Sequence, residues 1–292
     1  MRPAWRGEDL NDAHRPTTGA NRRSDLTGGI AVTNVYDQIG DTYDTTRSAD
    51  PEIVALLADK LNLGVGHYVD IGCGTGNYTV ALKEMSGIWT GLEPSTLMLD
   101  LARAKTDSIE WIQGSAESIP LPDHSLSGAI STFTIHHFTN LELALTDVDR
   151  VLKPGATLVI ATATPEQTSN YWLTHYFPKM MAQDAEQLPS IKQIEACLTA
   201  TSLQIADIEP FHITRETKDF FFYSGKHRPG MYLSENIRRG MSPFRMLITE
   251  EELTKGLAEL ERDIKNGAIE EVTAACNSVL GDYCFISITK SV

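Results

Sequence analysis

The stretch VDIGCGTGNYT, residues 69–79, joins a short apolar run to a glycine-rich loop. Gly72, Gly74 and Gly76 stand at every second position, which gives the spacing GxGxG. Dinucleotide-binding enzymes use GxGxxG, in which the third glycine lets the helix pack closely on the strand. Asn77 occupies that third position here. The spacing therefore indicates a turn wide enough for a carboxylate and an amine rather than a pyrophosphate.

Short apolar segments and amphipathic segments alternate on both sides of this loop. Residues 49–64 are typical of a helix, because Asp50 can cap it, Pro51 suits its first turn and Gly64 can end it. Strands that alternate with helices at this spacing form a parallel sheet with both faces covered. The pattern predicts an α/β, Rossmann-like fold with a seven-stranded, mostly parallel sheet. The predicted strands are 67–71, 88–92, 109–113, 126–132, 156–163, 203–213 and 283–290.

The alternation changes after residue 165. Residues 166–200 are predicted to be helical, and about 70 residues separate the last two predicted strands, too many for a plain connection within a sheet. We expect this late part to contain a lid or pocket wall. Residues 1–30 have almost no apolar periodicity and are predicted to form a flexible tail. The resulting organisation is a tail at 1–30, a core with an N-terminal cover helix at 31–165, and lid elements with the final strands at 166–292.

Composition limits the classes of partner. The formal net charge of −14 argues against a protein that mainly binds nucleic acid, because phosphate contacts require a surplus of lysine and arginine. The apolar runs fall short of the roughly 18–20 residues that span a bilayer, so no membrane partner is expected. The four cysteines show no metal-binding spacing, and no metal is predicted. We expect a cytoplasmic protein that is a monomer or a homodimer.

Five segments in order resemble the class I S-adenosylmethionine (SAM)-dependent methyltransferases, in particular the small-molecule group that includes the ubiquinone and menaquinone methylases. They are VDIGCGTGNYT (69–79), GLEPSTLML (91–99), GSAESIPLPDHSLSGAIST (114–132), HHF (136–138) and VLKPGATLVI (151–160). The resemblance covers roughly residues 35–165. It implies SAM as the cofactor and S-adenosylhomocysteine (SAH) as its product.

The resemblance also assigns cofactor contacts. Asp70 is expected to hold the ammonium group of SAM, and Glu93 both ribose hydroxyls, since a carboxylate can accept two hydrogen bonds at once. Tyr43 or Arg47 would lie near the SAM carboxylate, although Arg47 could also be an exposed side chain. Met98 would pack on the adenine or simply in the core, and Glu117 would bind the adenine, cap a helix or be solvated. The full predicted set is Tyr43, Arg47, Asp70, Gly72, Gly74, Gly76, Glu93, Pro94, Met98, Ser115, Ala116, Glu117 and Thr132.

The acceptor side is less well defined. His136 and His137 follow the fourth predicted strand, where ligands bind in open parallel sheets, so either could act as a general base or form the pocket wall. Aromatic and basic residues of the late part would line the acceptor pocket, with core packing or surface ion pairs as the alternative. The predicted pocket residues are Tyr171, Trp172, Tyr176, Tyr223 and Arg228.

The sequence therefore predicts a methyltransferase that acts on a small organic acceptor at oxygen, nitrogen or carbon. One alternative is a SAM-binding protein that does not methylate, such as a cyclase or a binding protein, because such a protein can keep the whole cofactor loop. A protein or RNA methyltransferase is the other. It would favour an Asn/Asp-Pro-Pro-Tyr type loop after strand four, where this chain has STFTIHHF.

Overall fold

The structure of the protein is a computed structural model, which describes residue 44 and residues 46–276 and 280–292. Seven strands form one sheet in the order β3-β2-β1-β4-β5-β7-β6. They are β1 His67–Ile71, β2 Ile88–Glu93, β3 Glu110–Gln113, β4 Leu126–Thr132, β5 Leu152–Thr162, β6 Leu203–Phe211 and β7 Tyr283–Lys290. The strands from β1 to β5 are parallel, while β7 runs antiparallel to both β5 and β6. The predicted α/β fold with a mostly parallel seven-stranded sheet is confirmed.

Helices connect the strands and cover the sheet. They are α1 Pro51–Lys60, α2 Asn77–Met85, α3 Thr96–Lys105, α4 Leu141–Val151, α5 Pro165–Ser169, α6 Pro178–Gln187, α7 Ile191–Leu198, α8 Glu235–Arg239, α9 Ser242–Met246, α10 Glu250–Asn266 and α11 Ile269–Ala274. Short 3₁₀ turns lie at Ile135–His137, Trp172–His175 and Pro229–Leu233. None of the helices in the described ranges is long and apolar enough to cross a membrane.

Local chemistry sets the start of α1. Asp50 accepts hydrogen bonds from the backbone N–H groups of Glu52 and Ile53, at 2.9 and 3.4 Å, and Pro51 occupies the first turn as predicted. The other carboxylate oxygen of Asp50 accepts from the Lys218 backbone N–H at 2.7 Å. The cap of the first described helix therefore also fixes the segment that follows β6.

The core is divided by the sheet into two clusters of buried residues. Strand β7 shows the division, because Tyr283 and Phe285 belong to one cluster, whereas Cys284, Ile286 and Ile288 belong to the other. Side chains of a strand alternate between the two faces, so a strand buried on both faces is apolar along its length. The long insert between β6 and β7 packs on the cluster that contains Phe285, on the same side as α1.

Candidate functional site

One cavity of about 340 Å³ opens along the carboxyl ends of the parallel strands. It is lined by the residues that directly follow β1, β3 and β4, by the last residues of β2 and β5, and by parts of α6 and the insert. In parallel α/β sheets this edge is where ligands bind. The size lies within the range of about 300–1,000 Å³ that small-molecule pockets occupy. The topology thus brings most of the predicted cofactor residues to one cavity.

The glycine loop leaves open space where a side chain would stand. Gly74 has φ +55°, and a Cβ added to it would meet no atom within 4 Å, so this position faces the cavity. Gly72, with φ +73°, also lines the cavity, but its Cβ would collide with the Thr134 side chain at 2.4 Å. A bare backbone at Gly74 lets a ligand approach closely, which is one recognised use of glycine. Gly74 therefore supplies an open cradle, whereas both Gly72 and Gly74 were predicted as cofactor contacts.

Gly76 has a different role from the predicted one. It does not line the cavity, and an added Cβ would stand 2.3 Å from the Trp111 ring. A Cβ added to Gly91 on β2 would also stand 2.3 Å from this ring. The third glycine of the loop therefore makes room for Trp111 rather than for a cofactor.

Asp70 is the last residue but one of β1 and is buried, and it stands behind the cavity wall that Ile71 and Gly72 form rather than in it. Its Oδ2 accepts from the Thr79 hydroxyl at 2.6 Å, whereas its Oδ1 is buried and has no hydrogen-bond partner among the residues described. Burial raises the pKa of this carboxyl to about 7, the hydrogen bond from Thr79 lowers it, and the charge of Glu93 raises it. A buried acceptor without a partner is costly, so this atom fits a ligand that donates a hydrogen bond or carries positive charge.

Glu93 ends β2 and lines the cavity while remaining buried. One carboxylate oxygen accepts from the Gly74 backbone N–H at 3.0 Å, and the other accepts from the Ser95 backbone N–H at 3.0 Å. A carboxylate oxygen can accept more than one hydrogen bond, so these backbone contacts are compatible with hydroxyl ligands. Pro94 and Met98 line the same part of the cavity, and Met98 is almost completely buried.

The loop after β3 contributes Ser115, Ala116 and Glu117 to the cavity wall. One Glu117 oxygen accepts from the backbone N–H groups of Thr139 and Asn140, at 2.7 and 3.1 Å, and from the Thr139 hydroxyl. Burial by itself raises the pKa of Glu117, but these hydrogen bonds outweigh it, and the pKa is lowered. Glu117 therefore holds the segment before α4, whose N-cap is Asn140, and its contact with the adenine stays a prediction.

His136 and His137 lie in the 3₁₀ turn after β4, and both line the cavity together with Thr132. Their ring centroids are 3.9 Å apart, and the Nδ1 atom of His136 is buried without a hydrogen-bond partner among the described atoms. Burial lowers the pKa of His137 to about 4, and burial together with His137 lowers the pKa of His136 well below its ordinary value. Both rings are therefore neutral at neutral pH.

Aromatic rings form the far end of the cavity. Phe133, Phe221, Phe222, Tyr223 and Tyr283 line it. Phe133 stacks on Phe221 with a centroid distance of 4.6 Å and meets Tyr283 edge to face at 5.0 Å. The backbone of Phe133 has φ +57°, which is rare for an aromatic residue and is the kind of strain that concentrates at functional sites. We call the part of the cavity bounded by these five rings the aromatic compartment.

Two aspartates of the cavity wall are absent from the predicted site. Asp184 of α6 is buried beside the aromatic compartment. Asp219 accepts from the Arg47 guanidinium at 2.6 and 3.1 Å and from the Tyr78 hydroxyl at 2.9 Å. Each stands in the sequence as a single acid without a motif, so no local signal identifies it. A search for buried acids on the predicted helices of 166–200 could have selected Asp184.

Arg47, predicted near the cofactor carboxylate, lines the cavity and forms its ion pair with Asp219. Tyr43, its predicted companion, lies outside the described residues, as do the predicted tail at 1–30 and the start of the cover helix. Whether the cofactor carboxylate meets Arg47 stays a prediction.

Three of the predicted pocket aromatics are core residues instead. Tyr171, Trp172 and Tyr176 are buried and do not line the cavity. The Tyr171 hydroxyl donates to the Tyr223 carbonyl at 2.9 Å, so it supports the compartment from behind. Arg228 also lies away from the cavity and donates to the carbonyls of Thr217 and Ser224, at 2.8 and 3.2 Å. Of the five predicted residues, Tyr223 alone reaches the cavity wall.

No cluster of metal-ligating side chains occurs among the residues that the structure describes. The groups that line the cavity are instead backbone amides, carboxylates, neutral histidines and aromatic rings. The open Gly74 cradle, the unpartnered oxygen of Asp70 and the carboxylate of Glu93 suit the carboxylate, ammonium and ribose groups of SAM in chemical kind.

Comparison with known proteins agrees with this geometry. The model of a methyltransferase domain matches residues 69–160. A malonyl-[acyl-carrier protein] O-methyltransferase from Serratia marcescens is 28% identical over 149 residues, which cover 50% of this chain and 56% of that protein. A demethylmenaquinone methyltransferase from Bacillus licheniformis is 29% identical over 168 residues, covering 49% of this chain and 72% of the relative. The match thus spans little more than half of the first relative's length.

A solved structure matches over almost its whole length. It is a protein from Anabaena variabilis ATCC 29413, described as a methyltransferase of an antibiotic biosynthesis pathway, with 31% identity and a TM-score of 0.75. The match covers 85% of this chain and 99% of that one. A geranyl diphosphate C-methyltransferase from Streptomyces coelicolor, at 14% identity and a TM-score of 0.51, shares the fold. On these findings the chain belongs to the methyltransferase-domain family, and within it to the class I SAM-dependent methyltransferases.

Proposed function

We propose that this protein transfers a methyl group from SAM to a small organic acceptor. The observation that carries the proposal is the single cavity that joins the cradle of Gly74 and Glu93 to the aromatic compartment. SAM supplies a methyl group on a positively charged sulfur, which a nucleophile displaces in line. Such a reaction needs little covalent help from the protein, and positioning of the two reactants can supply most of its rate.

In this proposal three acidic or apolar groups hold the cofactor. Asp70 receives the ammonium group at its free Oδ1, and Glu93 receives the ribose hydroxyls. Met98 packs against the adenine from the cavity wall. Binding the ammonium group would replace the missing hydrogen bond of Asp70 and stabilise its charged form, because an opposite charge close by favours ionisation.

We infer a small acceptor from the shape and charge of the cavity. Its far end is walled by rings and lies between the sheet and the insert, which suits a small apolar molecule better than a nucleic acid strand. A net charge of −14 also disfavours RNA. The relatives' names include a demethylmenaquinone methyltransferase, whose name points to a small molecule. The cytoplasmic location and the monomeric or homodimeric state stay predictions.

The histidine pair serves as cavity wall in this proposal. A general base is most effective when its pKa lies near the working pH. Burial lowers the pKa of His137 to about 4 and that of His136 well below its ordinary value, which makes both weak bases. Their neutral rings can pack against a cofactor without repelling its positive sulfur.

The first test compares two glycine variants for SAH binding by calorimetry. Gly74→Asp places a side chain into the cavity and should weaken binding by about 100-fold or more, or about 2.7 kcal/mol. Gly267→Asp is the matched control, because Gly267 also has a positive φ, +84°, and open space around its Cβ, but lies at the end of α10. Both variants carry the same kind of backbone strain.

Methyl-labelled SAM, added with a size-fractionated extract of the source cells, then tests the transfer itself. Label in the small-molecule fraction with Gly267→Asp, and none with Gly74→Asp, would support the proposal. Label in protein or RNA would refute the small acceptor. Tight SAH binding without transfer to any fraction would favour the non-methylating alternative. A wild-type protein that fails to bind SAH would overturn the proposal as a whole.

A further inference from the structure

One buried carboxyl group beside the aromatic compartment has the Tyr223 hydroxyl as a polar neighbour but no cation among the described residues. Asp184 lies on α6 with 7% of its surface exposed, and it lines the cavity. Met180 and Met181 of the same helix are buried in the core, which fixes the helix and therefore the position of the carboxyl group. Among the ion pairs of the described residues, none includes Asp184. A buried carboxylate without a cation is costly, so its retention at this place calls for a function.

The surroundings of Asp184 are aromatic. Burial raises the pKa values of Tyr223 and Tyr283, and the nearby charge of Asp184 raises them further. The Tyr223 hydroxyl donates to the Thr168 hydroxyl at 2.6 Å, and the Tyr223 backbone N–H donates to the Tyr283 hydroxyl oxygen at 3.2 Å. These contacts fix both rings, so the carboxyl group faces a rigid apolar wall. The other titratable groups of the cavity wall are the histidine pair, Glu93, Glu117, Cys73, Tyr78 and the Arg47–Asp219 ion pair.

We propose that Asp184 is the general base of the acceptor site, and that the acceptor presents a hydroxyl group on a flat aromatic body. This inference rests on the proposed function. The flat body fits between the rings of the compartment, where offset or edge-to-face contacts between aromatic groups are favourable. The hydroxyl group can donate a hydrogen bond to the carboxylate, which has no cation beside it among the ion pairs of the described residues.

The proton and the electrons then have defined destinations. The acceptor oxygen forms a bond to the methyl carbon, and the bond between that carbon and sulfur breaks with its electron pair remaining on sulfur. The hydroxyl proton passes to the Asp184 carboxylate, which later releases it to solvent. The products are a methyl ether and SAH. The released proton carries the positive charge that the sulfonium had before the transfer.

The acidity of Asp184 suits this role better than that of the histidines. Burial raises the pKa of Asp184 to about 7, and the neighbouring Tyr223 hydroxyl offsets part of that rise. A base of this strength is ionised in a useful fraction at neutral pH and can hold the proton it receives. Burial instead lowers the pKa of both histidines, to about 4 for His137.

Binding of a phenol tests the proposal without any turnover. The SAH-loaded protein would be titrated with 4-nitrophenol and with its methyl ether, 4-nitroanisole, which has no proton to donate. We expect the wild-type protein to prefer the phenol, and Asp184→Asn to lose about tenfold to 100-fold of that preference, as for a hydrogen bond to a charged group. Glu186→Gln is the matched control, because it removes an exposed charge from the same helix and should keep the preference.

The titration of the Asp184 carboxyl, followed by NMR of the protein with ¹³C-labelled aspartate, gives a second readout. The signal of Asp184 is the one that disappears from the spectrum of Asp184→Asn. A titration midpoint near pH 7 in the SAH complex is expected, and one near the ordinary value of 3.8 would overturn the proposal. Equal loss of phenol and ether binding in Asp184→Asn would show a packing role only. Binding of benzylamine but not of the phenol would mean that the carboxylate recognises a cation instead.

SAH affinity is measured in every variant, so the two proposals fail separately. If SAH does not bind the wild-type protein, the proposed function is wrong. If SAH binds normally while Asp184→Asn leaves the phenol preference unchanged, this inference alone is wrong. Where the phenol is methylated, Asp184→Asn should lower kcat by about 10²–10⁴-fold with little change in KM, and the rise of kcat through pH 7 should disappear.

Discussion

Asp70 should give the protein a pH-dependent stability that asparagine removes. Burial raises the pKa of its carboxyl from 3.8 to about 7 in the folded state. Between those values the folded protein holds a proton that the unfolded chain has released, so the free energy of unfolding falls as the pH rises. For a carboxyl with these two pKa values, the free energy of unfolding falls by at most about 4 kcal/mol across that range. The stabilisation that the protonated Asp70 carboxyl gives is complete below pH 3.8 and gone above about pH 7.

The assay is urea unfolding of the wild-type protein and Asp70→Asn, without ligand, from pH about 4 to about 8. Asparagine keeps an acceptor for the Thr79 hydroxyl but cannot titrate. As the pH rises, the free energy of unfolding of the wild-type protein should fall by about 2–4 kcal/mol relative to that of Asp70→Asn. Asp100→Asn, which removes an exposed carboxyl paired with Arg103, should track the wild-type protein. A wild-type-minus-variant difference that stays constant over this range would refute the reasoning.

Three further predictions follow from burial and contact. SAH should bind more tightly to the wild-type protein as the pH rises through about 7, because the ammonium group of the ligand favours the ionised form of Asp70. Calorimetry should find no such rise in affinity for Asp70→Asn. Parallel pH profiles for the two proteins would contradict this prediction. Gly256→Ala should lower the free energy of unfolding by about 1–3 kcal/mol, since its Cβ would lie 2.3 Å from the Phe177 ring; an unchanged urea midpoint would mean that the ring can move aside. Asp219→Ala should cost about 3–5 kcal/mol in the same assay, because it removes a buried carboxylate from the part-buried Arg47 guanidinium. Asp207→Ala, at an ion pair whose carboxylate is 58% exposed, should cost less than about 1 kcal/mol, and equal costs would disprove the contrast.

Much of the sheet was predictable because its strands are short, apolar and bounded by turn residues. The predictions for β1, β4 and β7 match the observed bounds, and the other four strands are shifted by a few residues at most at either end. The largest shift is at β5, which begins at Leu152 rather than 156. Leu152 pairs with Leu126 across an irregular register, so a segment that resembles a turn continues the strand. The arrangement of the insert was not predictable, because its short helices carry little periodicity.

The cofactor half of the site was more accessible to sequence reasoning than the acceptor half. The glycine loop and Glu93 follow strand ends directly, so the order of the strands brings them together. Asp219 meets Arg47 across 172 residues of sequence, and no local pattern announces such a pair. Tyr171 and Trp172 were misplaced for a related reason, since an aromatic side chain suits a core and a pocket equally well and the sequence does not say which neighbour it faces.

The position of β7 between β5 and β6 has a consequence for the order in which the protein can be completed during synthesis. In the sheet β6 pairs with β7 only, and β7 is made roughly 70 residues later. Until the ribosome has released β7, β6 has no neighbouring strand, and the edge of β5 is open to other chains. A ribosome that pauses within the insert would therefore hold a nascent chain with an exposed sheet edge, which is a natural target for a chaperone.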